Sequence, residues 1–484
     1  MAQQVPTALP TETSPGWRLG FQSLETEHRE AVELEVSGDL PAELRGTLYR
    51  IGPARHEAAG GERYRHWFDG DGMIHALHLD GGRVHYRNRF VGTAGRAEEE
   101  RAGRRLYGGF GTRAGGDSAL ERFRNTVRRF AKNTANTNIV EIGGRLLALW
   151  EAGHPHRIDP VTLETLGEDD LGGALSRRDW FSAHPKSHPS GDVWNFGIAY
   201  GARPRARLYR CRPDGSVSRE IAVTLPFPAM VHDFALTERH AVFVVAPLAL
   251  PPVPVGMLLG SRSFADSLRW EPRRGTHVGV VDLASGEVRW HRGDPFTMFH
   301  TVNAWDEGDS VVVDVCAYPD EAVMRALFQF MTGTVTTPAA AWPERLVLDG
   351  SPRIRRQRLS ATSLEFPRVA PSADCREHRR IYGVTANDAG GFLGVPACID
   401  LALGTVATAP TQAHEFAGEL VPVPRRGARD ESDAWLLTLV MDTQARRSEL
   451  RVLDGADITA PPVATVRLPH AVPFGFHGNW VEAA

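Results

Sequence analysis

No two cysteines stand in a CxxC pair: Cys211, Cys316, Cys375 and Cys398 are scattered through 484 residues. That spacing offers no thiolate metal site and fits a reducing compartment, with each thiol expected as a small buried side chain. No apolar stretch is long enough to span a bilayer. Neither sign of charge dominates, with 55 Lys and Arg against 59 Asp and Glu and a formal net charge of −4. The balance excludes the basic footprint of a nucleic-acid-binding protein. The N-terminal segment lacks a basic start followed by an apolar run, so no signal or transit peptide is expected and the expected location is the cytoplasm.

What is present is a long alternation. From about residue 40 onward, short Val/Ile/Leu/Phe/Tyr-rich runs are separated by Gly, Asp and Pro turn signals, the pattern of many antiparallel strands. Candidate hairpin turns are Asp80-Gly81-Gly82, Gly143-Gly144, Pro213-Asp214-Gly215 and Ala284-Ser285-Gly286. An apolar residue, then Asp, then a turn recurs at Ile158-Asp159-Pro160, Val281-Asp282-Leu283, Ile399-Asp400-Leu401 and Leu453-Asp454-Gly455. Stacked propeller blades leave such a repeat, although any all-β protein makes similar hairpins. The length allows two or three domains, yet one propeller can use all of it.

Two segments read as helices inserted between strands. The first starts at Ser118, with Glu121 three residues on in a capping-box pattern, and places Leu120, Phe123, Val127 and Phe130 on one face. The second runs from Glu321 to about Met331 with Val323, Met324, Leu327, Phe328 and Met331. The apolar stretch 246–259 carries Pro247, Pro251, Pro252 and Pro254, which disfavour both a regular helix and a central strand. It reads either as an apolar patch that rests, with Arg122, Arg128 and Arg129, on a membrane surface, or as a loop packed over the fold.

Among 19 histidines, four lie in strand-like settings: Ser182-Ala183-His184-Pro185-Lys186, Val231-His232-Asp233, Phe299-His300-Thr301 and Phe476-His477-Gly478. They are too far apart for a helical His-x-x-x-His pair, and only a radially closed fold brings such positions to one axis.

These residues, with Gly46-Thr47-Leu48-Tyr49-Arg50-Ile51-Gly52-Pro53, His66-Trp67-Phe68-Asp69-Gly70-Asp71-Gly72, Ala135-Asn136-Thr137-Asn138, Trp150-Glu151, Glu365-Phe366-Pro367-Arg368 and Gly418-Glu419-Leu420, follow one another in an order that resembles the carotenoid cleavage oxygenases over nearly the whole chain. The resemblance implies an all-β fold, a seven-bladed β-propeller forming a single domain over 1–484, with a helical and loop cap over its top face. Cap elements are expected at about 105–135, 246–272 and 319–345, after an N-terminal extension of 1–35. It further implies one Fe(II) per chain held by His184, His232, His300 and His477, with O2 as co-substrate. Glu151, Glu365 and Glu419 match the family's glutamates that accept hydrogen bonds from outer ring nitrogens, without showing which serves which histidine. Thr137 matches a position whose methyl group restricts one open coordination site.

For substrate, Phe68, Trp150, Met230 and Phe299 match positions near the family's tunnel. The family's stilbene-cleaving enzymes typically carry lysine where Trp150 stands, and an aromatic surface suits a polyene better. The expected reaction is cleavage of a conjugated C=C bond of an apocarotenoid at the 15,15′ position, on a lipophilic substrate drawn from a membrane through 246–260 and helix 118–131. Stilbene or phenylpropene cleavage, retinoid isomerisation, and a propeller that binds a pigment or protein without turnover are the rivals. Ile51 for the usual Asn, His188 for a common Asp and Cys375 for a common Gly depart from the family pattern, and none is a metal ligand.

Overall fold

The protein is described here by a computed structural model covering residues 16–333, 339–386 and 392–483. Residues 1–15 of the N-terminal extension and 334–338 of the third cap segment lie outside the described residues. Among the described residues, seven antiparallel sheets of four to six strands and one two-stranded ribbon account for the strands.

In chain order the blades are built on Gly46–Arg55, Asn138–Ile142, Lys186–Ser187, Phe234–Leu236, Thr297–Glu307, Glu365–Arg368 and Glu415–Ala417 with Val421–Pro424. The ends of the chain interlock. The C-terminal strand Gly478–Glu482 pairs with Gly46–Arg55 in the first blade, and Val36–Gly38 pairs with Ala464–Arg467 on the outside of the seventh. Closure in both directions joins the first and last blades, where a radial fold would otherwise split.

Local sequence explains the hairpins. Gly81 and Gly82, Gly143 and Gly144, Gly215 and Gly286 all take positive φ at the expected turns, a conformation glycine adopts without steric cost. The four apolar-Asp repeats each end the third strand of a blade, and the carboxylates of Asp159, Asp282, Asp400 and Asp454 accept backbone N–H groups two residues on. Each aspartate thus closes the turn to the outermost strand.

Apolar clusters fill the gaps between adjacent blades. Ile74, Ile139 and Leu146 pack between the first and second blades, Phe196 and Phe243 between the third and fourth, and Leu437 and Leu77 between the seventh and first. The largest cluster joins the fifth and sixth blades to the cap through Phe299, Leu364, Leu327 and Trp17. All four cysteines are free and buried.

The first cap helix spans Ala119–Arg128, capped by the Ser118 side chain, which accepts from the Glu121 N–H. The reciprocal half of the expected capping box is replaced: Glu121 accepts from the Asp117 N–H and pairs with Arg104. Its apolar face turns to solvent, with Leu120 57% and Val127 69% exposed. The second helix, Ala322–Thr332, buries Val323, Ala326, Leu327 and Met331. Within the proline-rich stretch, Leu248–Ala249 pairs with Arg269–Trp270 and Val255–Leu258 makes one helical turn after Pro254. Proline before the first turn forfeits no intrahelical bond, so this turn escapes the expected bar to helix. Ala246, Leu248 and Met257 are buried there, while Val253, Val255, Leu258 and Leu259 are exposed. Among the described residues no helix is long and apolar enough to cross a membrane.

Candidate functional site

The innermost strands converge on the axis, and at or near the start of each stands, in blade order, Thr137, His184, His232, His300, Glu365, Glu419 and, on the returning C-terminal strand, His477. Residues next to the histidines lock neighbouring blades together. The buried carboxylate of Asp233 accepts from Lys186 Nζ (2.9 Å), Thr301 N (2.8 Å) and Thr301 Oγ1 (2.7 Å), tying the third, fourth and fifth blades at the level of the rings. Asn138 donates to Ala183 O (2.7 Å) and accepts from Asn479 (3.0 Å).

The four histidines meet. Ligand nitrogens of His184, His232 and His300 lie within 4.8 Å of one another. The His477 ring stands 4.9 Å from that of His184 and 5.0 Å from that of His300. His184 Nε2 and His232 Nε2 approach to 2.9 Å. His300 directs Nδ1 to Glu365 Oε2 at 2.6 Å and His477 directs Nδ1 to Glu419 Oε1 at 2.8 Å, so each ring presents the lone pair of Nε2. Glu151 Oε1 lies 3.5 Å from His232 Nδ1 and 3.5 Å from His184 Nε2. The pairing of glutamates with histidines, open in the sequence, is therefore 365 with 300, 419 with 477, and 151 beside 232 and 184.

The electrostatics favour neutral imidazoles. Burial, then the neighbouring histidines, holds His184 and His232 well below the ordinary histidine value. Burial pushes His477 down to about 4 although Glu419 opposes it. Burial alone would raise Glu419, but Arg368, His477 and Arg50 hold it well below the carboxylate range. Its oxygens accept from Arg50 (2.7 Å), Arg368 (2.9 Å) and Gly478 N (3.0 Å) besides His477. Glu151 is pushed well above that range by burial and then by Asp233, and its Oε1 is buried without a hydrogen-bond partner. Four imidazoles gathered at the axis, with carboxylates against their outer nitrogens and an orphaned carboxylate oxygen beside them, fit a divalent cation of borderline softness.

Beside the rings lies a cavity of about 400 Å³ with predominantly apolar walls. All four expected substrate residues line it, as do Thr137, Glu151, His232, His300, Glu365 and His477; His184 and Glu419 stand behind the wall. Phe68 contacts Phe299, Phe110 and Phe476 ring to ring at 6.1, 5.1 and 5.2 Å. Thr137 donates its hydroxyl to Asn136 (3.0 Å). The cavity reaches the cap at Phe130, which is 41% exposed, and at Met257.

Several wall residues escaped the sequence reading. Phe366 and Phe476 adjoin Glu365 and His477 within motifs already visible. Phe366 takes a left-handed φ of 50°, and its ring lies 5.4 Å from that of His300 and 5.5 Å from that of His477. Phe110, Tyr200 and Phe264 come from the cap and the third blade and carry no local signal.

Fold and site together define a seven-bladed propeller whose axis carries a candidate metal centre of four imidazoles at the end of an apolar cavity. The family described as retinal pigment epithelial membrane protein matches residues 21–482, and the chain belongs to this family of carotenoid cleavage oxygenases. It is 35% identical to the apocarotenoid-15,15′-oxygenase of Synechocystis sp., with all of both chains covered. It is 30% identical to the isoeugenol monooxygenase of Pseudomonas nitroreducens, with 93% of this chain and 94% of the relative covered. The crystal structure of the cobalt-substituted Synechocystis apocarotenoid oxygenase superposes with a TM-score of 0.88 at 33% identity, covering 97% of this chain and 98% of that one.

Proposed function

We propose that the chain is an iron(II)-dependent oxygenase that uses O2 to cleave one conjugated C=C bond of an apocarotenoid, the 15,15′ bond, into two carbonyl products. The observation that carries this reading is an apolar cavity that ends on inward-turned imidazoles and, among the described residues, contains no carboxylate other than those facing histidines. Such a wall binds a hydrocarbon chain by burial rather than by hydrogen bonding. The relative with an apocarotenoid in its name supports the substrate class, and Trp150 in the wall supports a polyene over a phenolate.

His184, His232, His300 and His477 would hold one iron per chain. Four neutral ligands leave the full ferrous charge and open positions on an octahedral ion, whereas a structural zinc would close its tetrahedron. When bound, ferrous iron supplies the one-electron chemistry through which O2 reacts with an alkene. One alkene bond and one O2 give two carbonyls with no external reductant. Glu151, Glu365 and Glu419 orient the rings. Phe68, Trp150, Met230 and Phe299 exclude water and align the polyene across the centre, and Thr137 narrows the approach to it.

The exposed residues Leu120, Phe123, Val127 and Phe130, beside Val253, Val255, Leu258 and Leu259 of the proline-rich stretch, make an apolar surface at the cavity's cap end. With Arg122 and Arg128 on the same helix and Arg129 at its C-terminal cap, it fits a surface that rests on a membrane and receives lipophilic substrate from it.

Anaerobically purified protein loaded with iron(II) is incubated with an apocarotenal in detergent, O2 is admitted, and the products are separated. Loss of the long-wavelength polyene band with appearance of retinal is the expected result. Unchanged apocarotenal at full iron occupancy, with cleavage of isoeugenol or resveratrol, moves the chain to the phenylpropene and stilbene branch, and an isomerised product of unchanged length moves it to the isomerases.

A further inference from the structure

The three carboxylates behind the histidines differ in what grips their remaining oxygens. Glu419 is held by the guanidinium groups of Arg50 and Arg368, neither of which lines the cavity. Glu151 has a buried oxygen without a partner. Glu365 is held by a phenol: Oε2 accepts from His300 Nδ1 and from Phe366 N (2.9 Å), while Oε1 accepts from the Tyr318 hydroxyl at 2.7 Å.

Tyr318 ends the strand Ser310–Tyr318 in the fifth blade, and its side chain reaches the sixth blade to make this bond. It is 5% exposed and lines the cavity. Its ring meets that of Phe299 edge on at 6.1 Å, and Phe299 meets His232 edge on at 5.3 Å. The phenol thus stands with one side on the substrate space and its hydroxyl on the carboxylate that orients His300. A donated hydrogen bond fixes the carboxylate plane and tempers its basicity, and both properties pass to the imidazole it holds.

We infer that Tyr318 is a positioning residue that sets the His300 ring through Glu365 and links the wall of the cavity to the metal centre. The inference rests on the metal-centre reading above. Tyr318 both lines the cavity and donates to the Glu365 oxygen that His300 does not use, whereas the arginines on Glu419 are not part of the cavity lining among the described residues.

Tyr318→Phe keeps the ring against Phe299 and removes only the O–H. Cobalt(II) binding is measured without turnover, by competition with a chelator under anaerobic conditions, and the metal-free protein is melted to show that the variant folds. The expected result is cobalt retention weakened about five- to thirty-fold, with displaced cobalt absorption bands. In iron-loaded enzyme kcat falls by a similar factor with KM unchanged. In a Glu365→Gln background the same substitution adds less than about two-fold, because both changes act on one linkage. Unchanged cobalt affinity and bands, a rise in KM alone, or a full additional loss in the Glu365→Gln background overturns the assignment. Wild-type protein that binds cobalt but cleaves no apocarotenoid overturns the substrate reading alone and leaves this inference to be judged on the metal data. Wild-type protein that binds no cobalt overturns both.

Discussion

Glu151 and Glu419 both stand against histidines, the first half-buried at the cavity wall and the second fully buried, and their surroundings give them opposite characters. Glu419 is a fixed anion between two guanidinium groups, and Glu151 is a carboxyl that burial pushes toward its neutral form. Glu419→Gln therefore leaves Arg50, only 6% exposed in its side chain, without its counter-charge, and the metal-free protein should lose about 3 kcal/mol of stability. Glu151→Gln is nearly isosteric with the protonated acid, so metal-free stability should stay within about 1 kcal/mol while metal affinity falls about 10- to 100-fold. Denaturant titration of both metal-free variants, beside chelator competition, checks the contrast. Equal losses of stability would show that the arginines find other partners. None of this difference was legible in the sequence, where the three glutamates look alike. Arg50 and Arg368 lie 369 and 51 positions from Glu419, and no local pattern reports a partner at such a distance.

At the scale of elements, the sequence was informative wherever the physics is local. Gly143-Gly144 and the four aspartates that end third strands each make their turn from neighbouring backbone groups, so pattern alone located them. The first cap helix shows the boundary of that logic. Ser118 capped it as expected, but periodicity can place Leu120, Phe123 and Val127 on one face without saying whether that face meets protein or solvent. The structure turns it outward, beside Val255 and Leu258. Replacing Val127 and Leu258 together by Asp should then leave the melting temperature within about 1–2 °C, because neither side chain leaves a core. Binding to phospholipid vesicles should fall by at least about ten-fold, given two lost apolar contacts with a bilayer. Co-sedimentation with vesicles, and cleavage of apocarotenal presented in detergent or in vesicles, separates the two effects. Activity lost equally in both presentations would mean that the helix shapes the cavity rather than its approach to lipid.

For the whole molecule, closure of the ring brings histidines from four blades to one axis, and the resemblance to a known family made that convergence readable where spacing could not. Burial is not confined to the histidines of the axis. His56, His66 and His378 are fully enclosed, and burial pushes each down to about 3. The ordinary histidine value near 6.5 is approached in the unfolded chain, which therefore binds more protons than the native state throughout the interval between about 6.5 and 3. Stability must fall as pH falls across that interval, by up to about 1.4 kcal/mol per pH unit for each such histidine. The loss begins well above the range in which exposed carboxylates titrate. Denaturant titrations of the metal-free protein at pH 7, 6 and 5 should show a progressive drop of several kcal/mol, with the fold failing near pH 5 before most carboxylates are protonated. A flat profile down to pH 5 would mean that these rings gain a proton acceptor in the native state and stay cationic there.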